Sequence, residues 1–115
     1  MKYAIPSIGN KGLDDQLDGH FGRAPFFTLW NEETDEIEVI ENRSDHFGGI
    51  GLPAEFLTEY CNGIICGGIG TRAISLCEQL GLRIMVGANG TVRQVISDFK
   101  EGKLKEATPG DGCKH

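Results

Sequence analysis

His20 and His46 each stand inside a His-Phe-Gly triplet, and Cys66 ends a short apolar run at 64–66. Imidazole and thiolate are the side chains that hold soft transition metals and their sulfide clusters. Cys66 also reads as a small buried hydrophobe. Glycine surrounds these positions. Gly48-Gly49-Ile50-Gly51-Leu52-Pro53-Ala54 and Gly67-Gly68-Ile69-Gly70-Thr71-Arg72-Ala73 share the pattern GGIGxxA, and each opens a predicted helix. Glycine lets backbone N–H groups approach a ligand, and a helix N-terminus favours an anion. Tight packing of strand against helix also asks for small residues, so both readings stand. Arg23 and Arg72 either supply a local positive field for such an anion or are solvated loop residues.

Other chemistries fit less well. The stretch from Gly68 to Ala73 matches GxGxxA after a strand, the dinucleotide fingerprint. That fingerprint needs an acid about 20 residues on for the ribose, and Met85-Val86-Gly87-Ala88-Asn89 offers none. Asp14, Asp15 and Asp18 fall in a glycine-bounded loop and read as a solvated face. A two-metal nuclease would hold its acids on strands, and Tyr3, Ala4 and Ile5 include none. No Ser-His-Asp pattern or phosphate-loop lysine is present, and no general base stands out beyond the two histidines, so no catalytic residue and no enzyme activity are expected. Acids outnumber bases 17 to 11, a net charge of −6, which argues against nucleic acid as a partner. No apolar run approaches the roughly 18 residues of a membrane span. The chain shows no signal-peptide apolar region at its start, so a cytoplasmic location without a membrane partner is expected. Cys61, Cys66, Cys77 and Cys113 lack CxxC spacing and are expected as thiols rather than as disulfides or a zinc knuckle.

The elements that must position these residues follow from hydrophobic period. The chain's 115 residues include 17 glycines with no three-residue repeat, so one globular domain is expected, at 1–103, with a loose tail at 104–115. Strands are expected at 2–5, stopped by Pro6, then at 25–30, 37–41, 64–66 and 82–86. Helices are expected at 53–60, at 73–80, and at 92–101, where Thr91 and Gln94 form a capping box. Right-handed crossovers then predict an α/β fold with a ribonuclease H-like mixed five-stranded sheet, order 3-2-1-4-5, strand 2 antiparallel, and three helices. In that sheet the loops 7–25, 42–51, 67–71 and 87–91 meet at one edge and hold or flank 12 of the 17 glycines. Open α/β sheets bind ligands at such an edge.

Asp18-Gly19-His20-Phe21-Gly22-Arg23-Ala24-Pro25, then Glu41-Asn42, then Cys66-Gly67-Gly68-Ile69-Gly70, then Gly87-Ala88-Asn89-Gly90-Thr91-Val92 resemble the dinitrogenase iron–molybdenum cofactor biosynthesis family. The resemblance runs in order over nearly the whole chain. That family includes NifX- and NafY-like carriers, the C-terminal domain of NifB, and the orange protein of sulfate reducers. The resemblance implies a small carrier or scaffold that holds a sulfur-rich metal cluster for assembly or transfer. The cluster would be an iron–molybdenum cofactor precursor or a molybdenum–copper type. His20 matches the histidine of the family's first loop, and His46 lies where many members carry one; with Cys66 they are the expected metal ligands. The expected cofactor-binding residues are His20, Phe21, Gly22, Arg23, Gly48, Gly49, Gly67, Gly68, Gly70, Arg72, Gly87, Asn89, Gly90 and Thr91. Cys113-Lys114-His115 is similar to the Cys/His-rich tails of some members. Partners would be cluster donor or acceptor proteins, with the chain itself a monomer or weak homodimer. The alternative is a regulatory or partner-binding module using the same glycine-rich edge without metal.

Overall fold

Along β1 (Lys2–Ser7), Ala4 faces one side of a sheet while Tyr3 and Ile5 face the other. This is the period-two pattern of a strand covered on both faces. The computed structural model describes residues 1–19, 21, 24–42 and 56–107. On one side of β1, β2 (Phe26–Asn31) and β3 (Ile37–Glu41) form an antiparallel hairpin. On the other side, β4 (Gly63–Ile65) and β5 (Arg83–Val86) run parallel to β1, and β6 (Lys105–Glu106) runs antiparallel to β5. The sheet order is β3-β2-β1-β4-β5-β6.

The first five strands therefore keep the expected order 3-2-1-4-5, but the sheet has six strands and not five. The sixth falls in the stretch read from sequence as tail. Its two residues are exposed and polar, so no hydrophobic period announces them. They are held by the Ala107 N–H donating to Ile84 O at 2.9 Å and by Arg83 paired with Glu106 at 3.2 Å. Two α-helices are described, α1 (Thr71–Gln79) and α2 (Val92–Lys100), against the three expected. Of the expected helix at 53–60, residues 53–55 lie outside the described residues; Phe56 and Leu57 are helical, and 58–60 form a turn in which the Tyr60 and Cys61 N–H groups donate to Leu57 O.

Pro6 does not stop β1. It sits opposite Phe27 in the ladder with β2, and its carbonyl accepts the Asp18 N–H at 2.9 Å. Proline cannot donate to a ladder, but N–H and C=O of one strand residue point the same way. The missing donor thus falls on the side away from β2. There β4 pairs only with Tyr3 and Ala4, so no acceptor is left waiting.

Helix α1 buries Ile74 and Cys77 against Ala4, Phe27, Leu29 and Ile64. Helix α2 buries Val92, Val95 and Ile96 on the opposite face, against Tyr3, Ile5, Trp30 and Ile65. Each fully buried side chain of this size contributes about 1.5–3 kcal/mol. Gly63 is fixed by packing: a Cβ there would lie 2.7 Å from the Tyr3 ring and 2.9 Å from Arg83 O. No helix among the described residues is long and apolar enough to cross a membrane.

Candidate functional site

Because β1, β3, β4 and β5 point the same way, Ser7, Glu41, Ile65 and Val86 end at one edge. Backbone hydrogen bonds tie the loops there together. Leu17 N–H donates to Gly90 O at 2.9 Å, Gly87 N–H to Gly67 O at 3.1 Å, and Ala88 N–H to Cys66 O at 3.2 Å. Isolated bridges join Ser7 to Leu17 and Gln16 to Thr91. The described parts of three expected loops, 7–25, 67–71 and 87–91, thus converge as the strand order requires.

The first of these loops is organised by Asp15, which is 6% exposed and not part of a solvated face. Its Oδ1 accepts the N–H groups of Gly9 at 3.1 Å and Gln16 at 2.9 Å, and its Oδ2 accepts that of Lys11 at 2.9 Å. The loop turns once through a short 3-10 helix, Gly12–Asp14. Asp15 also reaches α2: its carbonyl accepts the Val92 N–H at 2.9 Å. Asp14, in contrast, is exposed and pairs with Arg93 at 3.0 Å.

The two glycine-led helix starts at this edge differ in what is left unsatisfied. At α2, Thr91 accepts the Gln94 N–H at 3.2 Å, and Asp15 satisfies Val92. The expected capping box is half formed, because the Gln94 amide donates to Asp98 at 2.9 Å instead of reaching back. At α1, Gly70 is the N-cap with extended backbone and no side-chain cap, and no acid occupies the first turn. The N–H groups of Thr71, Arg72 and Ala73 are the orphan donors of that terminus. Arg72 sits among them, exposed and without an ion-pair partner among the described residues, whereas Arg83 and Arg93 are both paired. A cation in the first turn opposes the helix dipole. Both features cost α1 stability, and both favour an anion.

The glycines separate in the same way. Gly67 sits at a close approach, since a Cβ would lie 3.1 Å from Ala88 O and would push that carbonyl by a few tenths of an ångström. Gly87 and Gly90 adopt φ of 95° and 87°, left-handed backbone that side chains resist. Gly68 and Gly70 are exposed, have no positive φ, and would place a Cβ in open space. The internal structure of the described residues does not require glycine at either position.

Of the other expected site residues, Asn89 is exposed beside Gly90 and Thr91 is half-buried as the α2 cap. Phe21 is 7% exposed, and its ring packs on Phe27 with centroids 5.8 Å apart. Because Phe27 pairs with Pro6, this anchors the first loop at the same end of the sheet. His20, Gly22, Arg23, His46, Gly48 and Gly49 lie outside the described residues. Cys66 directly follows β4 at the edge, but it is 1% exposed and belongs to the α1-side core. Alternation explains this: Ile65 faces the other side, so Ile64 and Cys66 share the α1 side. Among the described residues, no three His, Cys, Asp or Glu side chains come together as a metal site. The described part of the edge therefore offers backbone donors and a guanidinium, not a thiolate cluster.

In the folded protein, Cys66 is expected to alkylate no faster than Cys77, whose thiol burial pushes up to about 11. Peptide mapping after brief alkylation measures this. Faster labelling at Cys66 would show that the edge opens to its thiol. Asp15 is the position organising this edge that the sequence does not disclose. Its place among Gly9, Gly12 and Gln16 allows one carboxylate to collect the donors of a tight turn, but the same pattern also suits a solvated loop.

Comparison with other proteins agrees with this architecture. Residues 1–102 match the family model described as Dinitrogenase iron-molybdenum cofactor. An uncharacterized protein of Methanocaldococcus jannaschii is 33% identical over 112 residues, covering 92% of this chain and 91% of its own. An NMR structure of a candidate NifB protein from Thermotoga superposes with a TM-score of 0.75 at 30% identity, over 91% of both chains. The apo form of the orange protein from Desulfovibrio gigas superposes with a TM-score of 0.81 at 25% identity, over 92% of both chains.

Proposed function

The chain belongs to the dinitrogenase iron–molybdenum cofactor family, and on that premise we propose that its glycine edge holds a sulfur-rich metal cluster as cargo. The protein is a carrier or scaffold without turnover of its own, working in the cytoplasm between cluster donor and acceptor proteins. The observation that carries this reading is the pair Gly68 and Gly70, which face open space ahead of an uncapped helix start. A thiometallate is a soft anion whose sulfides accept hydrogen bonds. The N–H groups of residues 71–73 and the Arg72 guanidinium suit it without a covalent protein–metal bond. His20 and His46 supply imidazoles for any metal–nitrogen bond. Phe21 packs on Phe27 at this end of the sheet, while burial of Cys66 leaves ligation to the imidazoles.

The test is anaerobic incubation of the apo protein with tetrathiomolybdate, with and without copper(I), followed by desalting, visible absorption, and metal and sulfide analysis. The parent is expected to retain a chromophore. The double variant His20→Ala/His46→Ala is expected to retain at least about tenfold less, the scale lost when even an outer partner of a metal ligand is removed. Its far-UV circular dichroism and unfolding midpoint should stay unchanged. Retention equal to the parent's would show that the histidines are not ligands, and no retention by the parent would remove the cargo reading.

A further inference from the structure

The hairpin β2–β3 forms one edge of the sheet among the described residues, and its pairing phase determines what that edge presents. Asn31 N–H donates to Glu36 O at 3.0 Å, and Asn42 N–H donates to Pro25 O at 2.9 Å. Hydrogen-bonded and non-hydrogen-bonded pairs alternate along an antiparallel ladder. Residues 36, 38 and 40 therefore bond to β2, and the N–H and C=O groups of Ile37 and Val39 point outward. The described sheet ends at β3. Ile37 also lines a groove of about 430 Å³ on the α2 side. The groove's apolar lining is Leu13, Trp30, Ile37 and Ile96, and its rim carries Arg93 and Lys100. Both cations are already paired, Arg93 with Asp14 and Lys100 with Asp35.

The hairpin's own charged side chains are all acidic. Residues 24–42 contain six acids and no lysine or arginine. The N-terminal amine sits 3.7 Å from Glu32 and 3.2 Å from Glu33, and Lys100 meets Asp35 at 3.0 Å. Glu36 and Glu38 are exposed and have no ion-pair partner among the described residues. We propose that the outer edge of β3 is a docking surface for an extended, basic segment of a partner protein, which adds a strand to the sheet. Its backbone meets Ile37 and Val39, its lysines or arginines meet Glu36 and Glu38, and an apolar side chain enters the groove beside Ile37. Strand addition of this kind takes affinity from main-chain hydrogen bonds and specificity from alternate side chains. A second copy of this chain is disfavoured, because it would bring an equally acidic hairpin against this one.

Trp30 is the single tryptophan, lines the groove, and is 1% exposed, so its emission reports occupancy. The probe is an eight-residue peptide of alternating valine and lysine; a valine–glutamate peptide of equal length is the control. The lysine peptide is expected to shift Trp30 emission saturably and to weaken as salt rises. Val39→Pro removes an outward donor without taking a bond from the β2 ladder, and is expected to weaken binding about tenfold or more. Glu36→Lys/Glu38→Lys, which changes only exposed side chains, is expected to do the same with far-UV circular dichroism unchanged. Three outcomes overturn the proposal: equal binding of the glutamate peptide, no saturable response, or parental affinity in both variants. Self-association of the parent through β3, seen by sedimentation and lost in Val39→Pro, would assign the edge to a second copy instead.

Discussion

Asp15→Ala is expected to lower the unfolding free energy by about 3 kcal/mol and to loosen the whole glycine edge with it. Three backbone N–H groups end on that carboxylate, from Gly9, Lys11 and Gln16. Stranding a buried donor costs about 1–3 kcal/mol; water reaches these half-buried groups and brings the sum toward the lower end. Alanine also leaves a void beside Gly9, whose position accommodates the carboxylate so closely that a Cβ there would lie 2.8 Å from Oδ2. The loss then spreads along the backbone. Residues 15–17 hold the Val92 N–H of α2, bridge to Thr91, and place Leu17 on Gly90. Asp15→Asn separates the hydrogen bonds from the packing. With its carbonyl at the Oδ1 position, it keeps the bonds from Gly9 and Gln16 and turns an amide toward Lys11, so about half the loss is expected. Urea denaturation gives the free energies. Hydrogen exchange at Ile8, Leu17 and Val92 shows whether the loop bonds open together. A loss under about 1 kcal/mol in Asp15→Ala, with these amides still protected, would mean that the loop is held by its other contacts.

That aspartate marks the boundary of what the sequence discloses. The hairpin return at Ile37–Glu41 and the Thr91 cap were legible because each rests on a local signal, alternation in one case and an oxygen three residues before its donor in the other. The convergence of loops at one edge was legible because strand order and crossover hand determine it. Asp15 was not, because an aspartate in a glycine-rich loop has the same local signature whether its carboxylate faces water or collects three amides. Pro6 misled for a related reason. Its effect depends on whether a neighbouring strand needs its missing donor, and that neighbour lies about sixty residues away at β4. The two residues of β6 carry no period at all; only the partner β5 and the Arg83–Glu106 pair make them a strand. At the candidate site, sequence showed that glycines cluster but not which of them the fold itself consumes. Gly67, Gly87 and Gly90 answer to internal geometry, whereas Gly68 and Gly70 do not.

Gly70→Asp is expected to reduce thiomolybdate retention at least about tenfold while making the protein slightly more stable, a combination that a merely structural role for the glycine does not produce. Gly70 already has N-cap geometry, with φ −73° and ψ 158°, so aspartate enters without strain. Its carboxylate would accept the N–H of Arg72 or Ala73, and it would add a negative charge at the positive end of α1. Capping and dipole together stabilise by about 0.3–1 kcal/mol, a rise of a few degrees in Tm for a domain of this size. The same carboxylate occupies the donors proposed for the cargo and repels a thiometallate anion. Arg72→Glu repeats the experiment from the other direction: it removes the unpaired cation, reverses the charge, and improves the match to the dipole, so it too should hold or raise Tm as retention falls. Gly68→Ala adds only a methyl group facing open space. It should stabilise by about 0.4–1 kcal/mol through the unfolded chain and weaken retention less than the charged variants. Thermal unfolding and metal analysis on the same samples separate the two effects. If Gly70→Asp and Arg72→Glu both retain as much molybdenum and sulfide as the parent, the cargo does not sit on the α1 start. If both lose Tm together with retention, the uncapped terminus serves the fold and not the cargo.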